Sequence, residues 1–303
     1  MESFDLVVMG AGVAGLMAAA TAAQRGLSVM VLDPQGAGGQ VANVDHIANL
    51  PGLAPMAGWE LGPLLQEQAD AAGAGFMLTA ALALRRDGTG CLVDTAEGTL
   101  QARAVIVASG SSRRRLGVPG EQRLQGFGVS HCASCDGPLM RGLRVCVVGG
   151  GDAAATEALA LAAHASEVMV LHRGPAMRAQ PALRARLLAA ANIRVMPHTE
   201  VEEIVGERNV SALRLRESPA GASRLLEAEG VFVNIGLEPH TAFLAGLLAL
   251  DDAGRIVTDA QLRSSVPGIF AAGDVRSGSA AMLAASAGDG VTAAAMVQRY
   301  LAG

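Results

Sequence analysis

Two glycine-rich turns, each between an apolar strand and a helix, constrain the fold of this 303-residue chain more than any other feature. The first turn reads Gly10-Ala-Gly12-Val-Ala-Gly15, and the strand that follows its helix ends in Asp33. In such a βαβ unit the first glycine permits a tight turn, the second lets the backbone approach a pyrophosphate, and the third lets the helix pack closely. The pattern therefore predicts a dinucleotide-binding fold in which Asp33 holds an adenosine ribose hydroxyl.

A second unit of the same kind begins 139 positions later in the chain. An apolar strand predicted over 143–148 runs into Gly149-Gly-Gly151-Asp-Ala-Ala154, where alanine replaces the third glycine. A helix is predicted to follow, and then a second apolar strand over 167–171. We interpret this segment as a second dinucleotide-binding fold.

The side chains after the second strand of this unit indicate which nucleotide it binds. No Asp or Glu follows that strand, and His172, Arg173 and Arg178 cluster there instead. Basic groups at this position suit the 2′-phosphate of NADP(H), whereas an acidic group would suit the ribose of NAD(H). The alternative is an exposed basic turn with no ligand.

A pair of cysteines precedes the second unit, in the segment Cys132-Ala-Ser-Cys135-Asp136. Two cysteines three positions apart can close a disulfide, and the adjacent carboxylate can move the proton that thiol–disulfide exchange requires. Half of a zinc site and two buried thiols are the alternatives. Cys91 and Cys146 lie alone in apolar strand-like runs, so no four-cysteine zinc spacing exists. With a dinucleotide fold on either side, we expect a redox-active pair and no metal.

The order of these segments predicts an α/β protein with two Rossmann-like, doubly wound, three-layer domains, the second inserted into the first. The apolar strand ending in Gly273-Asp274 and a final helix over about 280–301 should complete the first domain. That helix is alanine-rich on all sides, which predicts a buried helix. The predicted domains are 1–115 with 245–303, and 116–244.

Composition excludes several classes of function. All 23 basic residues are arginine, so lysine-based Schiff-base chemistry and a Walker-type phosphate loop are excluded. The net charge of −5 and the scattered arginines predict no nucleic-acid partner.

The N-terminal sequence predicts a cytoplasmic protein. It has no basic region ahead of an apolar stretch, which a secretory signal would need. Residues 6–23 are uncharged, but their glycines divide them into a strand, a turn and a helix, so no transmembrane segment is predicted. In a reducing compartment the Cys132/Cys135 pair should cycle between disulfide and dithiol.

Taken together, the chain resembles the low-molecular-weight thioredoxin reductases and their flavoprotein relatives along essentially its whole length. The segments that carry the resemblance occur in the family's order. They are GAGVAG at 10–15, GGQ at 38–40, Asn49 with Pro51-Gly52, CASCD at 132–136, GGGDAA at 149–154, HR at 172–173 with Arg178, and GIFAAGD at 268–274.

The resemblance implies an FAD-bearing homodimer with an NAD(P)H domain, 116–244, inserted in an FAD domain. In that family the inserted domain swings, presenting first the nicotinamide and then the dithiol to the flavin. Cys135 would face the flavin C4a, Cys132 would attack the partner disulfide, and Asp136 would act as acid and base.

The resemblance also implies which residues surround the flavin. Asp274 would hold the ribityl chain, and Gln40 with Asn49 would lie near the isoalloxazine ring. The glycine loop of residues 36–40, taken alone, is equally compatible with a surface turn and with the close approach of a flat ring. The remaining expected flavin contacts are Gly39, Gly110 and Gly273.

Three segments depart from the family's pattern. The family's His-Arg-Arg is here His172-Arg173-Gly174, which removes one phosphate ligand. The Arg-Gln expected at the start of the last helix is Ala281-Met282, and the threonine-rich run after GGQ is 42–45, Ala-Asn-Val-Asp. The last two changes alter the surroundings of the flavin.

The function that these features favour is a flavoprotein disulfide oxidoreductase. It would pass electrons from NADPH through FAD and the Cys132/Cys135 dithiol to a protein disulfide, by default that of a thioredoxin-like protein. A small-molecule dithiol oxidase is one alternative, and a disulfide reductase fed by ferredoxin or a second flavin is another. A flavin-bound redox sensor without turnover is a third, against which the intact CxxCD motif argues.

Overall fold

The computed structural model describes residues 2–44, 47, 50–217, 221, 223–244 and 246–303. The chain divides into two compact units, unit 1 (Met1–Ser112 with Glu238–Gly303) and unit 2 (Arg113–Leu237). The domain boundaries predicted after residues 115 and 244 lie three and seven residues beyond the boundaries in the structure, which follow Ser112 and Leu237. Backbone hydrogen bonds explain both differences: the N–H of Arg114 donates to Gly236 within unit 2, and the N–H of His240 donates to Gly110 within unit 1.

The first part of unit 1 is a βαβ unit extended by further strands. Its elements are β1 (Ser3–Met9), α1 (Val13–Gln24), β2 (Val29–Leu32), α2 (Gly58–Ala71), β3 (Gly75–Met77), β4 (Ala83–Asp87), β5 (Gly90–Thr95) and β6 (Gly98–Val107). Strands β3, β2, β1 and β6 are parallel neighbours, and β5 and β4 continue the sheet in antiparallel order. A short strand β7 (Ser111–Arg113) follows.

Unit 2 repeats the parallel βαβ arrangement. Its elements are β8 (Val129–Ser130), α3 (Ala133–Asp136), β9 (Arg144–Val148), α4 (Asp152–Leu161), β10 (Glu167–Leu171), α5 (Pro181–Ala189), β11 (Ile193–Met196), β12 (Thr199–Val205), β13 (Ala212–Glu217), β14 (Ser223–Glu227) and β15 (Gly230–Val233). A parallel sheet has the order β11-β10-β9-β15-β8, and β12-β13-β14 form an antiparallel layer.

The C-terminal part returns to unit 1, as the insertion pattern predicts. It contains β16 (Leu237–Pro239), which begins at the last residue of unit 2, and then β17 (Ile269–Ala271) and α6 (Leu283–Ala302). Strand β17 pairs in parallel with β6. Helix α6 packs against α1, where a Cβ at Gly290 would overlap the carbonyl oxygen of Ala14.

The prediction of a buried last helix holds for one face of that helix only. The buried residues of α6 are Gly290, Ala293, Ala294, Met296 and Val297, which lie on one face. Alanine is a strong helix former and is also tolerated in water, so alanine content by itself does not separate a buried face from an exposed one.

Each unit has its own hydrophobic core on both faces of its parallel sheet, as a three-layer α/β fold requires. The predicted fold class is therefore confirmed. Residues 6–23 are a strand, a turn and a helix, as predicted. Among the described residues, no helix is both long and apolar enough to cross a membrane.

Candidate active site

A cavity of about 470 Å³ opens in unit 1 at the carboxyl ends of its parallel strands. This edge of an open α/β sheet is where ligands bind. The cavity brings together eight of the residues predicted to contact a dinucleotide: Gly10, Gly12, Asp33, Gly39, Gln40, Gly110, Gly273 and Asp274. Gly15 lies behind the turn, and Asn49 lies outside the described residues.

The first glycine turn has the geometry that its sequence predicts. Gly10 has φ +112°, and a Cβ there would overlap the carbonyl oxygen of Ala108. A Cβ at Gly15 would overlap the carbonyl oxygen of Gly10, so the helix packs closely on the turn. Gly12 differs, because a Cβ there would meet no protein atom within 4 Å. Gly12 therefore leaves room on the cavity side for a ligand.

Helix α1 presents its N-terminus to this cavity. Its N-cap is Gly12, and its first turn contains neither a capping side chain nor an acidic residue. Val13 and Ala14 also line the cavity. The first backbone N–H groups of the helix are thus available to an anion such as a pyrophosphate.

Asp33 lines the cavity, but its carboxylate already accepts three backbone hydrogen bonds. The N–H groups of Ala11, Gln35 and Gly36 donate to it at 2.8, 2.8 and 3.1 Å. A carboxylate has about four acceptor positions, so roughly one remains for a ribose hydroxyl. Asp33 therefore ties together the two turns that form the cavity wall, in addition to any contact with a ligand.

The glycine loop of residues 36–40 is part of the cavity wall. The N–H of Gly38 donates to the carbonyl of Ala11 at 2.8 Å, which joins this loop to the first glycine turn. Gln40 donates its side-chain amide to the carbonyl of Ser111 at 2.7 Å. Of the two interpretations open at the sequence level, the arrangement favours a loop that contacts a ligand.

The opposite wall is formed by the turn before α6. The N–H of Gly273 donates to Asp289 at 3.0 Å, and Arg276 forms an ion pair with the same carboxylate at 2.6 Å. Both charged side chains are largely buried, at 17% and 12% exposure. Asp274, which lines the cavity, accepts hydrogen bonds from the hydroxyls of Ser279 and Ser286.

Two cavity residues stand where the resemblance leads one to expect arginine and glutamine. Ala281 has φ +50°, and Met282 is half exposed. Both line the cavity, so this departure alters the binding site itself.

Ser111 is a cavity residue that sequence reasoning missed. Its Oγ is buried and has no hydrogen-bond partner in the described part of the chain. A buried hydroxyl without a partner is costly, so a polar ligand atom would satisfy it. The sequence signal was available, since Ser111 follows Gly110 at the end of an apolar strand.

The predicted redox pair forms a disulfide in unit 2. Cys132 and Cys135 are joined with a Cα–Cα distance of 5.4 Å. The N–H of Cys132 donates to the hydroxyl of Ser130 at 3.1 Å, and the N–H of Asp136 donates to the carbonyl of Cys132 at 3.1 Å. Cys132 thus caps the one-turn helix α3, which contains Cys135 and ends at Asp136.

The two other cysteines are isolated from this chemistry. Cys91 and Cys146 are fully buried free thiols. Burial raises the pKa of both thiols, which keeps them protonated and unreactive near neutral pH. No group of three or more His, Cys, Asp or Glu side chains in the described ranges is arranged to hold a metal ion.

The second glycine turn resembles the first in geometry. Gly149 has φ +151°, and a Cβ there would overlap the carbonyl oxygen of Asn234. Ala154 is fully buried, so the third position accepts a methyl group. Gly151 caps α4, and a Cβ there would meet no protein atom within 4 Å. Asn234 was missed by sequence reasoning; its buried Nδ2 has no partner among the described residues.

The basic cluster lies next to this second turn. His172 is buried against Gly150, and its pKa is lowered by burial and by the neighbouring His198. The backbone N–H of Arg178 donates to the carbonyl of Gly150 at 2.7 Å. Arg173 and Arg178 are exposed, and neither makes an ion pair within the described ranges. Their charges are available to an anionic ligand.

Comparison with known proteins places this site in a family. The family model described as pyridine nucleotide-disulphide oxidoreductase matches residues 4–290. The chain is 38% identical to a thioredoxin reductase of Treponema pallidum over 299 residues, covering 98% of this chain and 97% of that one. The chain belongs to the pyridine nucleotide-disulphide oxidoreductase family.

Solved structures of the same oxidoreductase family have the same fold. The thioredoxin reductase of Lactococcus lactis in its FR conformation has a TM-score of 0.85 and 31% identity, with 99% of both chains covered. The thioredoxin reductase of T. acidophilum has a TM-score of 0.82 and 33% identity over the whole of both chains. This pyridine nucleotide-disulphide oxidoreductase is thus an FAD-dependent disulfide oxidoreductase with two Rossmann-like domains.

Proposed function

We propose that this enzyme carries electrons from NADPH through FAD, bound in the cavity of unit 1, to the disulfide of a thioredoxin-like protein. The observation that carries the proposal is the Cys132–Cys135 disulfide, followed by Asp136, in the same unit as a glycine turn with free arginines. Neither feature would be needed for a fold without redox chemistry.

The residues of the unit 1 cavity fit FAD. The open side of Gly12 and the uncapped N-terminus of α1 suit the pyrophosphate, and Asp33, which lines the same cavity, suits the adenosine ribose. The unpaired hydroxyl of Ser111 and the carboxylate of Asp274 supply polar contacts elsewhere in the same cavity. Gly39, Gln40, Gly110 and Gly273 complete the proposed contacts, together with Asn49. FAD supplies, when bound, the two-electron chemistry that links a hydride donor to a disulfide.

The dithiol performs the exchange with the substrate. In the reduced enzyme the Cys132 thiolate attacks one sulfur of the substrate disulfide, forming a mixed disulfide and releasing one thiolate. Cys135 then attacks Cys132, which restores the enzyme disulfide and releases the second thiolate. Asp136, on the same short helix, would deliver the proton that the leaving thiolate takes up. The substrate gains two electrons and two protons.

NADPH is the proposed donor because His172, Arg173 and Arg178 adjoin the second glycine turn. We assign the turn of Gly149, Gly151 and Ala154 to the nucleotide, with the open side of Gly151 facing its pyrophosphate, and Asn234 offers a donor that has no partner among the described residues. Gly174 leaves this site with one arginine fewer than the family pattern.

Substituting Gly174→Arg should therefore tighten NADPH binding by roughly 10- to 150-fold and leave NADH nearly unchanged, since a charge-assisted phosphate contact contributes about 1.5–3 kcal/mol. The backbone of Gly174 does not have a left-handed φ, and a Cβ there meets only one atom, at 3.6 Å, so the arginine should be accommodated. Titration calorimetry with 2′-phospho-AMP and AMP checks this. Equal gains for both ligands would contradict the 2′-phosphate assignment.

A thioredoxin-like protein is the proposed substrate because an exposed apolar side chain follows the disulfide closely in the chain. Leu139 is 72% exposed and lies four residues after Cys135, in the 3₁₀ turn Gly137–Met140 that follows α3. Such a side chain suits contact with a protein surface better than contact with a small polar disulfide. We further propose a cytoplasmic homodimer, which sedimentation analysis would test.

Anaerobic mixing of the flavin-loaded protein with NADPH, followed by oxidised thioredoxin, tests the whole proposal. NADPH should bleach the flavin, and thioredoxin should restore its colour. The Cys135→Ser variant should still be bleached by NADPH but should lose thioredoxin turnover, because hydride reaches the flavin before the dithiol takes part.

Cys91→Ala is the matched control, since it removes a buried thiol outside the redox motif and should retain turnover. Full turnover in Cys135→Ser would refute the role of the dithiol. If neither NADPH nor NADH at millimolar concentration bleaches the flavin, electrons must enter from another carrier or from a dithiol substrate.

A further inference from the structure

A carboxylate outside the redox motif contacts its backbone. Glu157 lies on α4, and its Oε2 accepts a hydrogen bond from the backbone N–H of Ala133. Ala133 is the first residue of α3 and is bonded directly to Cys132. The contact spans 24 positions of the chain and uses a side chain that the exchange reaction does not otherwise require.

The surroundings of Glu157 make its charge effective. The side chain is partly buried, and burial raises its pKa. The Ala133 N–H and the guanidinium of Arg113 act in the opposite direction and favour the carboxylate. Asp136 is the acidic group on α3 itself, and the ring of His164 lies against Gly137 at the other end of that helix. A partly buried carboxylate interacts more strongly with a nearby charge than an exposed one does.

We propose that Glu157 is a positioning residue that holds the start of the redox helix and sets the reduction potential of the Cys132/Cys135 pair. The inference deepens the proposed function and rests on it. Reduction of the disulfide takes up two electrons and two protons, breaks the S–S bond and produces two thiols, of which one ionises for exchange.

The charge of Glu157 opposes this ionisation. Its carboxylate accepts a hydrogen bond from the residue next to Cys132. A negative charge there raises the energy of a thiolate in the pair, and therefore raises the energy of the reduced pair. The dithiol is then a stronger reductant, which favours transfer of its electrons to a substrate disulfide.

The Glu157→Gln variant separates the charge from the hydrogen bond. Its amide oxygen can still accept from Ala133, so the backbone contact is kept while the negative charge is lost. Glu207→Gln is the matched control, because Glu207 is an exposed carboxylate of the same unit, far along the chain from the disulfide.

The experiment equilibrates each full-length, flavin-loaded protein with glutathione buffers at pH 8 and counts the thiols of the Cys132/Cys135 pair. Buried Cys91 and Cys146 contribute a constant background. In Glu157→Gln the equilibrium should shift about tenfold toward the dithiol, equivalent to a potential about 30 mV more positive. The pH profile of alkylation should move to lower pH. Glu207→Gln should match the wild type.

Three results would overturn the inference. The first is an unchanged thiol–disulfide equilibrium in Glu157→Gln, and the second is an equal shift of that equilibrium in Glu207→Gln. The third is that oxidised Glu157→Gln does not fold, as measured by thermal unfolding, although its amide oxygen can still accept the hydrogen bond from Ala133. A wild-type pair that does not exchange with glutathione at all would instead refute the proposed function itself, so the two failures are distinguishable.

Discussion

At the scale of single residues, the glycines of the two turns divide into those that the protein itself requires and those that leave room for a ligand. Gly10, Gly15 and Gly149 would place a Cβ against a backbone carbonyl, so their absence of a side chain is a requirement of folding. Gly12 and Gly151 have ordinary negative φ values and open space beside them. Their absence of a side chain is required only when something binds there.

Alanine at each of these two open positions should therefore impair the binding of a different ligand. Gly12→Ala should fold with unchanged stability but bind flavin at least about tenfold more weakly, the effect of losing about 1.4 kcal/mol. Gly151→Ala should keep its flavin and lose reduction by NADPH to a similar degree. Flavin content after gel filtration and the anaerobic rate of bleaching measure the two effects.

Gly10→Ala is the comparison for this pair of variants. Its Cβ would overlap the carbonyl oxygen of Ala108, and its φ of +112° is unfavourable for alanine, so this variant should lose stability with or without flavin. A Gly12→Ala protein that retains full flavin affinity would show that the pyrophosphate does not lie against this turn.

At the scale of structural elements, helix α6 fixes one wall of the cavity through a single ion pair. Asp289 on α6 holds both Arg276 and the N–H of Gly273, and so determines where Asp274 lies. Both partners are largely buried, and removing one side of such a pair leaves the other charge uncompensated.

Asp289→Asn should lower the free energy of unfolding by about 3 kcal/mol and reduce flavin retention at the same time. Urea denaturation of the flavin-free and flavin-loaded proteins measures both effects. Asp94→Asn breaks the exposed pair with Arg85 and is the control, with little change expected in either measurement. If a destabilised Asp289→Asn protein retained its flavin affinity, flavin binding would not depend on the ion pair between Asp289 and Arg276.

At the scale of the whole molecule, the two units differ in how their cores are assembled. Both core clusters of unit 2 consist entirely of residues between 116 and 235. The core clusters of unit 1 combine residues from both ends of the chain, for example Ile106 with Phe270 and Val297. Unit 2 is therefore continuous in sequence, whereas unit 1 requires two separated segments.

A fragment containing residues 113–237 should consequently fold alone and form the Cys132–Cys135 disulfide, with a free energy of unfolding of about 5–10 kcal/mol. A fragment containing residues 1–112 should not fold, because it lacks β17 and α6. Circular dichroism and a urea titration of each fragment check this. A cooperative transition in the 1–112 fragment would contradict the shared core of unit 1.

The sequence by itself determined the two dinucleotide folds, the insertion of one in the other, and the disulfide. The glycine turns and the disulfide depend on backbone sterics and chain closure over a few residues, as at Gly10 and Cys132–Cys135, so a short segment specifies each, and the insertion follows from the order of such segments along the chain. The resemblance to the family supplied the residues expected around the flavin. One of them, Asn49, lies outside the described residues.

Only the tertiary structure decided which side chains meet across long stretches of chain. The unpaired Ser111 hydroxyl, the contact of Glu157 with Ala133, and the single buried face of α6 all depend on packing between distant segments. Asp33 shows the same limit, because its position was predictable but its bonds to three backbone N–H groups were not. A local pattern specifies dihedral angles and spacing; burial and hydrogen-bond partners are set by neighbours that no local pattern contains.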